Sequence, residues 1–218
     1  MPFHMTHLLI GRNMHLKLPD KIKNLPQFYL GNIAPDAVHN RENYKPEYKQ
    51  ASHLCVGNES WGMAENNEEW AENVLKFMRS NINSEHHDFV LGYCCHILAD
   101  IYNNIAVWTP FRLKYPEEFA KGYGGLYHHE CDKVDIELGL INDNKDYFLV
   151  HLEKAIPMDF NNIVFAEEMK KHKENIIKRY INREHPDLSA NRLVTVSSTM
   201  KFIEDATCFI LNNIINIV

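Results

Sequence analysis

Two stretches of the chain place an imidazole four positions before a carboxylate: His96 with Asp100, and His128 with Asp132. On an α-helix that spacing puts both side chains on one face, where their donor atoms can converge on a single ion. The first pair sits inside Phe89 to Asn104, Phe-Val-Leu-Gly-Tyr-Cys-Cys-His-Ile-Leu-Ala-Asp-Ile-Tyr-Asn-Asn, which is otherwise almost wholly apolar. A charge in such surroundings is costly to desolvate unless a cation, a hydrogen-bonded side chain or a metal pairs with it. His7, Asp36 and His53 add further nitrogen and oxygen donors, and 13 histidines in 218 residues is a high count. Donors of this kind suit zinc, which in catalytic sites keeps one position for water. Iron or manganese would accept the same donors. From residue types alone the His96 and Asp100 pair stands open between metal ligation and a hydrogen-bonded structural pair.

The elements that must position these residues read as helices. Pro2 to Met14 has a partly apolar face, with His4 and His7 on one side. Leu18 to Pro26 is a proline-punctuated connection, and the apolar run Phe28 to Ile33 ends at Ala34-Pro35-Asp36, where proline disfavours helix in the residue before it. Val38 to Val56 reads as loop with short helical pieces. Met63 to Asn81 is amphipathic, with Trp70, Val74, Phe77 and Met78 opposite an acidic, N-terminal-weighted face. Asn83 or Ser84 is placed to cap the helix that carries His96. Pro116 opens a further helix that is weakened by Gly122, Gly124 and Gly125 and recovers through His128 to Leu140. Tyr147 to Ala155, Ile163 to Ile181 and Arg192 to Ile217 complete the set. Leu193 to Val196 would be a strand without a partner, so the expected class is all-α, a single multi-helix bundle over residues 1–218 with its site in the helical core.

Composition narrows the function. Hydrophobic residues are 45% and charged residues 24% of the chain, ordinary for a folded globular protein. The net charge of −6 disfavours a nucleic-acid face, which needs clustered Lys and Arg. The basic run Lys170 to Arg179 is interrupted by Glu174 and reads as a solvated helix face. Five cysteines without a CxxC pair point to free thiols and a cytoplasmic protein, and neither a signal peptide nor a transmembrane segment is expected.

Phe28-Tyr29-Leu30-Gly31-Asn32-Ile33-Ala34-Pro35-Asp36, then Ser52-His53-Leu54, then Gly92-Tyr93-Cys94-Cys95-His96-Ile97-Leu98-Ala99-Asp100 resembles the zinc-dependent phospholipase C family. Met5-Thr6-His7-Leu8 is similar to that family's N-terminal histidine motif, and the resemblance spans about the first 135 residues in motif order. It implies that Asp36, His53, His96 and Asp100 hold one zinc and that Asp100 bridges toward a second ion near His7. It implies a further ion on a His-x-x-x-Glu pair, for which His128 and Asp132 are the match, with Asp in place of Glu. The implied cofactor is therefore one to three zinc ions. The implied reaction is hydrolysis of a phosphoester, small or a phospholipid head group, with Asp36 as ligand, general base or both. The chain departs from the family in beginning Met1-Pro2 rather than with a processed tryptophan. It also has Asn103 and Asn104 where a further histidine is expected.

Two other readings of the residues compete. An HD-type phosphohydrolase would use the adjacent His87-Asp88 with His53 and Asp132, and a non-catalytic metal-binding protein would keep the scaffold alone. Among residues with weaker claims, His129 is the one-residue alternative to His128. Asp135 and His4 are read as solvated or as extra ligands, and His39 as lining the mouth of the site. His86, His151, His172 and His185 are expected exposed, and Tyr93, Tyr102 and Trp108 are expected to be core aromatics.

Overall fold

A computed structural model describes residues 3–57 and 62–218, and all its regular elements are helical; among these residues no strand forms. The helices are α1 (His4–Lys17), α2 (Leu25–Gly31), α3 (Pro46–Ser52), α4 (Asn67–Asn81), α5 (His87–Asn103), α6 (Thr109–Lys114), α7 (Pro116–Phe119), α8 (Leu126–Leu140), α9 (Asn144–Lys154), α10 (Ala166–Tyr180) and α11 (Val196–Ile214). A tight 3-10 stretch, Ala34–Asn40, follows α2, and a π-helical stretch, Asn104–Trp108, extends α5. Pro2 of the expected first helix lies outside the described residues, and the helix runs beyond Met14 to Lys17.

Local chemistry sets several boundaries away from where hydropathy alone puts them. α4 begins at Asn67 rather than Met63 because the Asn66 side chain accepts the Glu69 backbone N–H at 3.1 Å, with Glu68 and Glu69 in the first turn. α11 begins at Val196 rather than Arg192. The buried Glu130 carboxylate draws off the backbone N–H groups of Arg192, Leu193 and Val194 at 2.6–2.8 Å, and the Thr195 hydroxyl caps Ser198. The helix expected from Pro116 to Leu140 is two helices, parted by the glycine-rich turn at 122–125.

α5 is the centre of the molecule; from Phe89 to Ile101 every residue is buried. α2 lies across it with almost no gap. A Cβ at Gly31 would meet the Phe89 carbonyl oxygen at 2.1 Å, and one at Gly92 would meet the Phe28 carbonyl oxygen at 2.0 Å. Both positions must be glycine because backbone, not a movable side chain, occupies the space. Gly92, His96 and Asp100 follow one another at four-residue spacing, so the face that touches α2 is also the face that carries the donors. The chain leaving α2 enters the 3-10 stretch at once and places Asp36 beside them.

Gly92→Ala is therefore expected to force the two helices apart and to cost at least ~3 kcal/mol in urea unfolding. Wild-type stability of that variant would show that the helices do not meet at these glycines.

Candidate metal centre

Five residues from the start of the chain to α5 converge. The ligand atoms of His7, His96 and Asp100 all lie within 4.8 Å of one another, as do those of Asp36, His53 and His96. Asp100 faces both groups. Its Oδ1 is 3.5 Å from His7 Nε2, and its Oδ2 is 3.3 Å from His53 Nε2 and 3.7 Å from His96 Nε2. Asp36 approaches from the other side, Oδ1 at 3.5 Å from His53 Nε2 and Oδ2 at 4.0 Å from His96 Nε2. The His7 and His96 rings stack with centroids 3.7 Å apart.

The tautomers follow from the neighbours. His96 Nδ1 lies 2.9 Å from the Asn32 carbonyl oxygen, which can only accept, so Nδ1 carries the proton and Nε2 presents its lone pair to the two carboxylates. His53 Nδ1 donates likewise to the Lys49 carbonyl at 3.0 Å. The turn that follows is held by α4, where Trp70 Nε1 donates to the His53 carbonyl at 2.7 Å and Asn73 to that of Leu54 at 2.8 Å. Lone pairs facing carboxylate oxygens repel unless a cation sits between them. Separations of 3.3–4.0 Å are too long for short hydrogen bonds, and ligands about 2.0–2.2 Å from a tetrahedral ion stand roughly 3.3–3.6 Å apart. Both ring nitrogens of His7, Nε2 of His96 and both oxygens of Asp100 are buried with no hydrogen-bond partner. The residues present thus fit a divalent metal by donor type, tautomer and spacing.

Burial and neighbouring charge shape the titration of these groups. For Asp36 and Asp100 burial pushes the carboxyl up, yet the surroundings outweigh it and both are held below the usual carboxylate range. Asp36 is lowered by the Lys49 ammonium and the imidazoles of His53 and His96, and Asp100 by the surrounding imidazoles of His53, His7 and His96. Burial first, then His7, drives His96 well below its ordinary value, so it is a neutral ligand at neutral pH.

Lys49 is the site residue that the sequence pattern did not single out. It is 3% exposed, and its Nζ donates to Asp36 Oδ1 at 2.7 Å and to His39 Nε2 at 3.3 Å. A lysine in a short helix is ordinarily a surface residue; only its position four before His53 hints otherwise. His172 is the second. It was expected on a solvated face, but α10 turns it inward against the Ala34–Asn40 stretch, where it is 6% exposed with its ring 5.1 Å from His4. The polar neighbours of His172 in sequence lie on other faces of the helix, which is why composition misplaces it.

The structure does not bring His128 and Asp132 to this centre. His128 Nδ1 lies 2.9 Å from the Gly122 carbonyl oxygen, and its ring stands against Trp108; Asp132 pairs with Arg179 at 2.6 Å. His129 is exposed. Asp135, read as a solvated group or spare ligand, is buried and anchors α1, its Oδ1 accepting the Met5 N–H at 2.8 Å and its Oδ2 the Tyr180 hydroxyl at 2.5 Å. Asn103 and Asn104, in the place of the expected histidine, are both buried, and Asn104 ties α5 to α4 through Ala64 O and Asn67 Oδ1. The His87-Asp88 dyad is spent on backbone: His87 faces the carbonyls of Ile82 and Lys21, and Asp88 accepts from Lys23 and Asn24. Tyr93 is fully buried, with Trp108 and Tyr102 half-buried.

Compared with known proteins, residues 5–102 match the model of the family described as zinc dependent phospholipase C. The matched region contains every member of the converging set and ends just after Asp100. No curated protein and no solved structure matches the chain.

The buried imidazoles give the metal-free protein a defined pH dependence. His96 is lowered well below 6.5 and His172 from 6.5 to about 4, in both cases chiefly by burial. A folded pKa below the unfolded one means that the unfolded chain binds more protons between the two values, so stability falls as pH drops from 6.5 toward 4. His172 alone accounts for roughly 3 kcal/mol across that window. Asp36 and Asp100, held low in the folded protein, do not offset it. Urea unfolding of metal-free protein at pH 7 and pH 5 should show the loss; equal stability would mean that these rings are solvated.

Proposed function

Taking as premise that residues 5–102 carry the signature of the zinc-dependent phospholipase C family, we propose that the protein is a zinc-dependent hydrolase of phosphoesters. One observation carries the reading: buried imidazole and carboxylate atoms of His7, His96 and Asp100 point at one another with no hydrogen-bond partner, an arrangement that a cation stabilises.

When bound, zinc supplies positive charge beside the phosphoryl oxygens and lowers the pKa of a water that it holds from 15.7 toward ~7. Asp36, His53, His96 and Asp100 would hold one ion, and His7 with the second oxygen of Asp100 would hold another. Asn32 and Lys49, through their carbonyls, keep His96 and His53 in the ligating tautomer. Asp36 is the catalytic candidate, because it alone among the five has appreciable exposure, 14%, and so meets both solvent and metal. Lys49 takes its Oδ1, which leaves Oδ2 to orient the attacking water and to accept its proton on the way to solvent.

The substrate class is a small phosphoester or a phospholipid head group, in keeping with the name of the family. Among the described residues no helix is long and apolar enough to cross a membrane. All five cysteines are free, in keeping with a reducing, cytoplasmic setting. Buried apolar side chains from α1 to α11 form one continuous cluster, in keeping with a single domain.

Zinc-loaded protein is expected to hydrolyse a chromogenic phosphodiester, and Asp100→Asn should lose at least one zinc equivalent together with that activity. Asp36→Asn should lower kcat about 10²–10⁴-fold. Activity and zinc content undiminished in Asp100→Asn would overturn the assignment.

A further inference from the structure

His172 lies outside the residues that carry the proposed metal, yet it has been placed with care. Arg41, which follows the 3-10 stretch, pairs with Glu168 at the start of α10 and donates to the Ile163 carbonyl at 2.8 Å, so the segment with Asp36, His39 and Asn40 is clamped against the helix carrying His172. Asn40 has its amide orientation fixed, since Nδ2 donates to the Ala37 carbonyl at 3.2 Å and Oδ1 accepts from Asn175 Nδ2 at 3.1 Å. The same Nδ2 faces His172 Nδ1 at 3.4 Å, which makes Nδ1 the acceptor and places the ring proton on Nε2.

That N–H is buried and has no acceptor. It cannot ligate a metal while Nδ1 is engaged in this way, and a buried donor without a partner is costly. His172 lies against the Ala34–Asn40 stretch that carries Asp36, the most exposed of the five candidate ligands. His7, His53, His96 and Asp100 are shut off from solvent, whereas Asp36 and the 39%-exposed His39 form the rim. Asp36 and Lys49 are both close enough to His172 to influence its titration. Donors therefore gather at this rim beside Asp36, whose Oδ1 accepts from Lys49.

Resting on the phosphoesterase reading, we propose that His172 Nε2–H donates to a phosphoryl oxygen of the bound ester, so that His172, supported by Asn40, is a substrate-binding residue next to the metal centre.

The test is calorimetric titration of inorganic phosphate and of dimethyl phosphate into full-length wild type, His172→Phe and His172→Gln, with zinc counted on each sample. His172→Phe should bind both probes about tenfold to a hundredfold more weakly at unchanged zinc content. His172→Gln, which keeps an N–H donor, should recover part of the loss. The ¹⁵N resonance of His172 Nε2 in wild type should shift when either probe is added, a readout that does not depend on how a variant folds. Unchanged affinity in His172→Phe, or a resonance that stays fixed, overturns the proposal. A loss confined to inorganic phosphate also overturns it, because the partner would then be free phosphate and not an ester. Protein without zinc would refute the metal reading by itself, and the comparison of wild type with His172→Phe would still decide the role of His172.

Discussion

The close approach of α2 and α5 at Gly31 and Gly92 is the constraint on which the rest depends. Two backbones in direct contact fix the relation of the helices to within a fraction of an ångström, since neither has a side chain that could adjust. One turn beyond the contact, Asn32 accepts the His96 proton and sets its tautomer. A few residues further, the 3-10 stretch turns Asp36 toward the same face of α5. Helix geometry then places Asp100 one turn beyond His96. Two glycines thus position donors that are distant in sequence but act on one point.

A second constraint is electrostatic. The candidate metal centre gathers two carboxylates low in pKa, three imidazoles and a lysine beside the apolar core. Lys49 offsets Asp36, but Asp100 has only imidazoles around it. The metal-free protein carries that cost as an unsatisfied charge, which binding energy would remove. Surrounding elements hold the arrangement in place: Asp135 ties the start of α1, and with it His7, to α8 and α10, while Trp70 and Asn73 hold the turn after His53.

The helical class, α5 as the core helix and the convergence of His7, Asp36, His53, His96 and Asp100 were legible because each rests on local spacing or on a motif with its glycines in place. The His128 and Asp132 pair had the same spacing and went elsewhere. Spacing states that two side chains share a face, but which face turns inward depends on partners such as Gly122 O and Arg179 that spacing does not reveal. Lys49 and His172 were illegible for the converse reason: both sit in polar, charged stretches, and only the docking of the Ala34–Asn40 stretch against α3 and α10 buries them. Helix ends at Asn66 and Val196 likewise answered to single capping groups, one of them the distant Glu130.

X-ray absorption at the zinc edge, with anomalous diffraction at the same edge to locate the ion, tests the central claim most directly. Scattering is expected between Asp100, His53 and His96, with a first shell of imidazole nitrogens and carboxylate oxygens at about 2.0–2.2 Å. An ion located at His128 and Asp132, a shell containing sulfur, or no ion between His96 and Asp100 in zinc-saturated crystals would contradict it.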